Sequence, residues 1–244
     1  MKFDRRLVAV IATLALVVVA VGVVVTRPGE RAQPQPITVA PAPARAPAQQ
    51  AAAPQPGQPA PAEAPADPVL AARLSERSIG RQDAPVTVLE FFSLTCGHCA
   101  NFHRDTLPQV KRELVETGRV RIVYRDFPLD QTGLLAAMVA RALPPERYAA
   151  FIETLFATQD RWAFNRNADP RVELFRLAAL AGMSRETFDA VIADEALARG
   201  ILESRLEGQN RYNVNSTPTF VFGTRTVPGN MPFDRFAQNV MEAR

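Results

Sequence analysis

The chain has 244 residues and only two cysteines, which excludes a disulfide-rich secreted scaffold and any zinc cluster built on three or four thiolates. Its formal charge of +3 is unevenly placed, since the residues beyond Pro68 include 22 basic and 21 acidic ones. So even a balance, with no basic and aromatic interleaving, gives no surface for nucleic acid.

Leu7 to Val25 reads LVAVIATLALVVVAVGVVV, nineteen residues without a charge. As a helix it would rise about 28 Å and cross a hydrocarbon core. Lys2, Arg5 and Arg6 against Asp4 keep residues 1–6 in the cytoplasm and send the remainder across. The competing reading is a cleaved signal peptide. The length of the run and the lack of a small-x-small site in Thr26-Arg27-Pro28-Gly29 favour an uncleaved anchor. Residues 26–68 are mainly Ala, Pro and Gln, and twelve of the chain's 21 prolines fall there. Proline at that density removes the amide donors of regular structure, so this stretch is expected to be an extended tether, approaching 130 Å at about 3.1 Å per residue.

Residues 69–244 suffice for one domain with its own core. After Ala84-Pro85, Val-Thr-Val-Leu-Glu-Phe-Phe has too little alternation for an exposed edge and predicts a central strand ending at Phe92. Ser93-Leu94-Thr95-Cys96-Gly97-His98-Cys99 follows. A helix is predicted from Ala100 to about Glu116, with Pro108 kinking or restarting it, and a second strand at Val120 to Arg125. Together these make a βαβ unit. Helical patterns then cover Gln131–Leu143, Pro145–Thr158, Asp169–Ala181 and Ser184 to about Glu207, a helical insertion over about 131–207. Strand character returns at Thr219–Phe222 and around Arg225–Val227, and Pro232–Met241 reads as a closing helix. The fold class is α/β.

Cys96 and Cys99 are separated by two residues at a strand-to-helix junction, a spacing that allows both a compact disulfide and two reachable thiols. Free N–H groups at the helix start favour a thiolate at Cys96; His98 can add a donor or positive charge, and Gly97 leaves the turn open. Cys96 is then the attacking sulfur, and Cys99, further into the helix, the resolving one. An inert structural disulfide is the weaker reading, because so small a ring restrains little unfolded chain. Metal binding by Cys96, Cys99, His98 and His103 would need further ligands. No nucleotide, flavin or metal motif appears, so no cofactor is expected and the protein itself supplies the redox group. Glu90 interrupts the apolar strand: buried, it is a candidate proton relay for Cys99, and at the rim it would pair with a basic residue. Thr217-Pro218 stands at strand entry, where a missing N–H is tolerated; sequence physics does not choose between cis and trans. His103 is expected to pack.

The runs Leu89-Glu90-Phe91-Phe92-Ser93-Leu94-Thr95-Cys96, Ala100-Asn101-Phe102-His103, Arg125-Asp126-Phe127-Pro128-Leu129-Asp130 and Thr217-Pro218-Thr219-Phe220 resemble bacterial periplasmic thiol:disulfide oxidoreductases of the DsbA type, in the thioredoxin superfamily. The resemblance implies a thioredoxin-like fold with a helical insertion over 69–244. It implies that Pro218 is cis and faces the cysteine pair, that Thr217 offers main-chain hydrogen bonds to an extended substrate, and that Glu90 is the buried acid. It further implies donation of a Cys96–Cys99 disulfide to unfolded or newly exported cysteine-containing proteins, and a quinone-linked membrane oxidase that recharges the pair. Gly97 departs from the proline that the best-known oxidases of this family carry there, which leaves a reductase or isomerase as the alternative activity. A tethered chaperone or binding module is the alternative of another class. With the anchor, the expected location is a bacterial inner membrane with the C-terminal domain in the periplasm, or the soluble periplasm after cleavage. A monomer is expected.

Overall fold

A computed structural model describes residues 67–243. The first elements are short: α1 (Pro68–Leu74) and β1 (Arg77–Ile79). Neither is predicted from the sequence, where the expected tether runs through Pro68. Asp67 accepts hydrogen bonds from the Val69 and Leu70 amides and Pro68 opens the helix, a start signal hidden among the surrounding prolines.

β2 (Val86–Phe92) leads to α2 (Gly97–Asn101) and α3 (Leu107–Val110), which are joined through π-helical Phe102–Thr106 and followed by π-helical Lys111–Val115. The wider turns fall around Pro108, which has no N–H for the ordinary ladder, and the Leu107 amide reaches back to the Phe102 carbonyl. β3 (Val120–Asp126) completes the βαβ unit, pairing parallel to β2. The insertion then runs through α4 (Gln131–Ala142), α5 (Pro145–Ala157), α6 (Gln159–Trp162), α7 (Pro170–Leu180), α8 (Arg185–Ile192) and α9 (Glu195–Tyr212). Where one helix was expected from Ser184 to about Glu207 there are two. Asp194 accepts from the Leu197 amide and restarts the chain as α9, which continues until Asn213 turns left-handed at φ 54°. β4 (Thr219–Phe222), β5 (Arg225–Pro228) and α10 (Phe233–Glu242) follow.

The strand order is β1-β3-β2-β4-β5, with only the β2–β3 pair parallel. β2 is therefore central and needs cover on both faces. Val88 and Phe92 enter the main core with Phe102, Phe220 and Phe236. On the opposite face Phe91 packs with Phe127, Val214 and Val221, under α9. A Cβ at Gly208 would lie 2.6 Å from the Phe91 ring, so glycine is what lets α9 come this close to the sheet.

Among the described residues no helix is long and apolar enough to cross a membrane. The longest, α9, carries Glu195, Arg199, Glu203, Arg205, Glu207 and Arg211 and uses its apolar side on the domain, through the buried Leu197 and Ile201. Residues 1–6, the expected anchor at Leu7–Val25 and nearly all of the expected tether lie outside the described residues. Among the described residues the architecture is accordingly corrected to an α/β thioredoxin-like domain with a helical insertion and no transmembrane helix, and the inner-membrane placement built on that anchor is withdrawn.

A buried ionic cluster ties the short first elements to the insertion. Arg141 pairs with Asp126 at the end of β3, Tyr148 donates to the same carboxylate, and Arg141 and Arg77 donate to the carbonyls of Ala72, Arg73 and Ser75 around the end of α1. Removing Arg141 would strand a buried carboxylate. We expect Arg141→Ala to lower unfolding stability by about 3–5 kcal/mol, as measured by urea denaturation.

Candidate active site

β2 stops at Phe92 and the chain crosses Ser93-Leu94-Thr95 before entering α2. Several bonds fix that crossing: the Gln159 amide donates to the Leu94 carbonyl at 2.7 Å, and the Thr95 hydroxyl donates to Asp130 at 2.8 Å. Asp130 also caps α4 through the Gly133 amide. The insertion thus holds the loop that presents Cys96, and Gln159 and Asp130 are site-supporting residues that local sequence patterns did not mark.

Cys96 is the N-cap of α2, in extended conformation, and its Sγ accepts from the Cys99 amide at 3.3 Å. On its other side Sγ lies 3.3 Å from the Thr217 carbonyl, to which the thiol donates. The Thr217–Pro218 peptide is cis, and β4 starts with the next residue. Both cysteines are free thiols. Cys99 is completely buried, whereas Cys96 keeps 7% of its surface exposed; the exposed Gly97 and His98 lie between them.

The two sulfurs are driven apart in acidity. The Cys96 thiol is brought down from 9.0 to about 6, chiefly by hydrogen bonding from the Cys99 thiol; burial opposes this, while the Cys99 and His98 amides add to it. Cys99 is pushed well above the usual thiol range by burial first, then by its bond to Cys96 and by the negative charges of Cys96 and Glu90. His98 thus acts on Cys96 through its main-chain N–H, with its ring in solvent.

Glu90 is fully buried in β2, between Tyr124 of β3 and Phe220 of β4. Its Oε1 lies 2.8 Å from Nε2 of His103, which is also buried. Glu90 therefore combines parts of both sequence readings: it is a buried acid, and it has a basic partner. The His103 ring does pack, 4.3 Å from the Phe156 ring centroid, but it is hydrogen-bonded as well. Its spacing of four residues from Cys99 was the available signal, since residues that far apart share a helix face.

Fold and site together define a thioredoxin-like dithiol protein. Residues 73–241 match the family described as Thioredoxin. Wolbachia pipientis α-DsbA1 superposes with a TM-score of 0.64 at 27% identity, covering 69% of this chain and 90% of that one. Oxidised BdbD from Bacillus subtilis, at 21% identity and a TM-score of 0.61 over 69% of this chain and 92% of that one, shows the same fold. A Rickettsia felis protein named as a protein-disulfide oxidoreductase is 27% identical over 167 residues, 68% of this chain and 59% of the relative, so the chain spans somewhat over half of that relative's length. The chain belongs to the thioredoxin family, and its fold is similar to that of α-DsbA1.

In the reduced protein, thiolate absorbance is expected to titrate near pH 6 for Cys96, with Cys99 remaining protonated to well above pH 9. Because the folded value is depressed, this group's contribution to stability is complete above its unfolded pKa. It is lost as pH falls through about 6. The reduced protein should therefore gain stability relative to the oxidised protein between about pH 6 and pH 9, measurable by paired denaturation curves.

A Cβ at Gly97 would meet nothing within 4 Å, and Gly97 occupies the first helical position, where proline is tolerated. Gly97→Pro is expected to fold and to leave the Cys96 thiolate below the ordinary thiol range, because the His98 and Cys99 amides remain. Thiolate absorbance of the variant checks this.

Proposed function

We propose that the protein exchanges disulfides through Cys96 and Cys99, in the direction that donates a disulfide to unfolded or newly exported polypeptides. The observation that carries this reading is the unequal environment of two sulfurs three residues apart: a stabilised thiolate at the helix start, and a sealed, protonated thiol behind it. A substrate thiolate attacks Cys96 Sγ, the Cys96–Cys99 bond breaks, and Cys99 leaves and takes up a proton. A second substrate thiolate then attacks the substrate sulfur of the mixed disulfide, and Cys96 leaves as its stable thiolate. Stabilising that thiolate stabilises the reduced dithiol against the disulfide, which supports donation.

Glu90 supplies or receives the proton that Cys99 needs in this scheme. Its burial and its charge acting on Cys99 support that role. The Thr217 carbonyl beside Cys96 supports main-chain recognition of an extended substrate next to Pro218, and the half-exposed Leu129, whose amide donates to Ser93, adds apolar surface beside the loop. Grip of this kind tolerates many substrate sequences. A quinone-linked membrane oxidase would recharge the pair.

Gly97 favours a second reading, a reductase or isomerase, since it lacks the rigid proline of the best-known oxidases of the DsbA type. A redox titration separates the two. A potential near about −120 mV supports donation, and one near about −270 mV sinks it. Replacing Cys99 by Ala should accumulate mixed disulfides through Cys96, detectable by mass. A chaperone or binding module whose thiols are inert would accumulate none.

A further inference from the structure

The exchange mechanism creates or removes a proton at Cys99, yet Cys99 is completely buried. During the reaction a polypeptide is joined to Cys96, which closes the front of the site. The Glu90–His103 pair leads in another direction. His103 lies one helical turn beyond Cys99, away from Cys96, and borders a cavity of about 190 Å³ lined also by Leu107, Pro108, Lys111, Glu116 and Glu153. Lys111 and Glu153 pair at 2.9 Å, each about a third exposed. One ring nitrogen of His103 bonds Glu90, and the other, Nδ1, is buried without a protein partner.

We propose that His103 is a positioning residue for the exchange reaction, passing protons between this rear cavity and Glu90, so that Cys99 exchanges its proton behind the helix and not past the bound substrate. The inference rests on the exchange reading and on Glu90 serving Cys99. When Cys99 leaves the disulfide with its electron pair, Glu90 gives a proton to Cys99 Sγ through an intervening water, His103 Nε2 returns one to Glu90 Oε1, and water in the cavity returns one to Nδ1. The reverse order removes the proton when Cys99 attacks a mixed disulfide. Imidazole suits this transfer because its two nitrogens can take and give a proton at opposite sides of the ring.

The other groups around the pair are accounted for. Tyr124 stands beside Glu90 in the sheet, but burial first, and then the Glu90 charge, hold its pKa well above the usual phenol range, so it stays protonated. Phe92, Phe102 and Phe156 surround the imidazole with rings and offer no competing base. Lys111, Glu116 and Glu153 line the cavity and keep it polar on its outer side.

The test is rapid mixing of the oxidised full chain with a dithiol peptide, followed by acid quench and mass measurement. His103→Ala is expected to slow loss of the Cys96–Cys99 disulfide by about tenfold or more, with the Cys96 titration unchanged. Added imidazole should restore the rate, and pyrazole, of the same size but far weaker as a base, should not. Equal rescue by both, or an unslowed His103→Ala, would overturn the proposal. Glu90→Gln separates the two levels: if it is slow while His103→Ala is fast, only the rear route falls, and if both are fast the Glu90 relay falls with it. Should His103→Ala fail to fold, the wild-type protein decides. The His103 ring nitrogens are expected to change their NMR shifts between the oxidised and reduced protein, and identical shifts would overturn the route.

Discussion

Two sulfurs in one turn of helix have to be held in opposite protonation states, and much of the domain is arranged around that electrostatic requirement. The difference comes from which side of the α2 entrance each sulfur faces. Cys96 caps the helix, where main-chain amides and the Cys99 thiol converge on it, whereas Cys99 turns inward to the apolar face of β2. A thiolate is stable at the first position because hydrogen bonds replace its lost hydration. At the second position no comparable set of donors does so.

Keeping that geometry requires the strand end and the helix start to be rigid relative to β4, which brings the Thr217 carbonyl to Cys96. The sheet supplies this by making β2 central, with β3 on one side and β4 on the other. The insertion supplies the rest. Gln159 and Asp130 hold the loop before Cys96, and the close approach of α9 over Phe91 at Gly208 seals the face opposite Glu90. The Arg141–Asp126 cluster then joins α1, β3, α4 and α5. Such a cluster, costly to desolvate, is tolerated because both guanidinium groups donate to carbonyls at the end of a helix.

Much of this was legible from local pattern. The apolar run of β2, the cysteine spacing at its end, the Asp169-Pro170 and Ser184 caps, and the return to strand at Thr219 are written within a turn or two of chain. Other features were not. β1 has three residues, too few for any periodicity. Asp194 split one apparent helix into two because the apolar pattern continues across the break while the capping side chain stops it. The sequence around His103 predicts only that it packs, because its own helix shows no more than that it faces inward; the acid it meets lies on another element, 13 positions earlier.

The sequence by itself determined where the chemistry sits: Cys96 and Cys99 at a strand-to-helix junction, in a chain with no other thiol, and a proline-rich stretch set apart from one folding domain. Those are properties of composition and short-range periodicity. Only the tertiary structure decided that Thr217 stands against Cys96 from 121 residues away, that Glu90 is buried with His103, and that Arg141 meets Asp126. Contacts of that kind depend on strand order and helix packing. Those are set by burial of many apolar side chains at once, so no local segment of the chain specifies them.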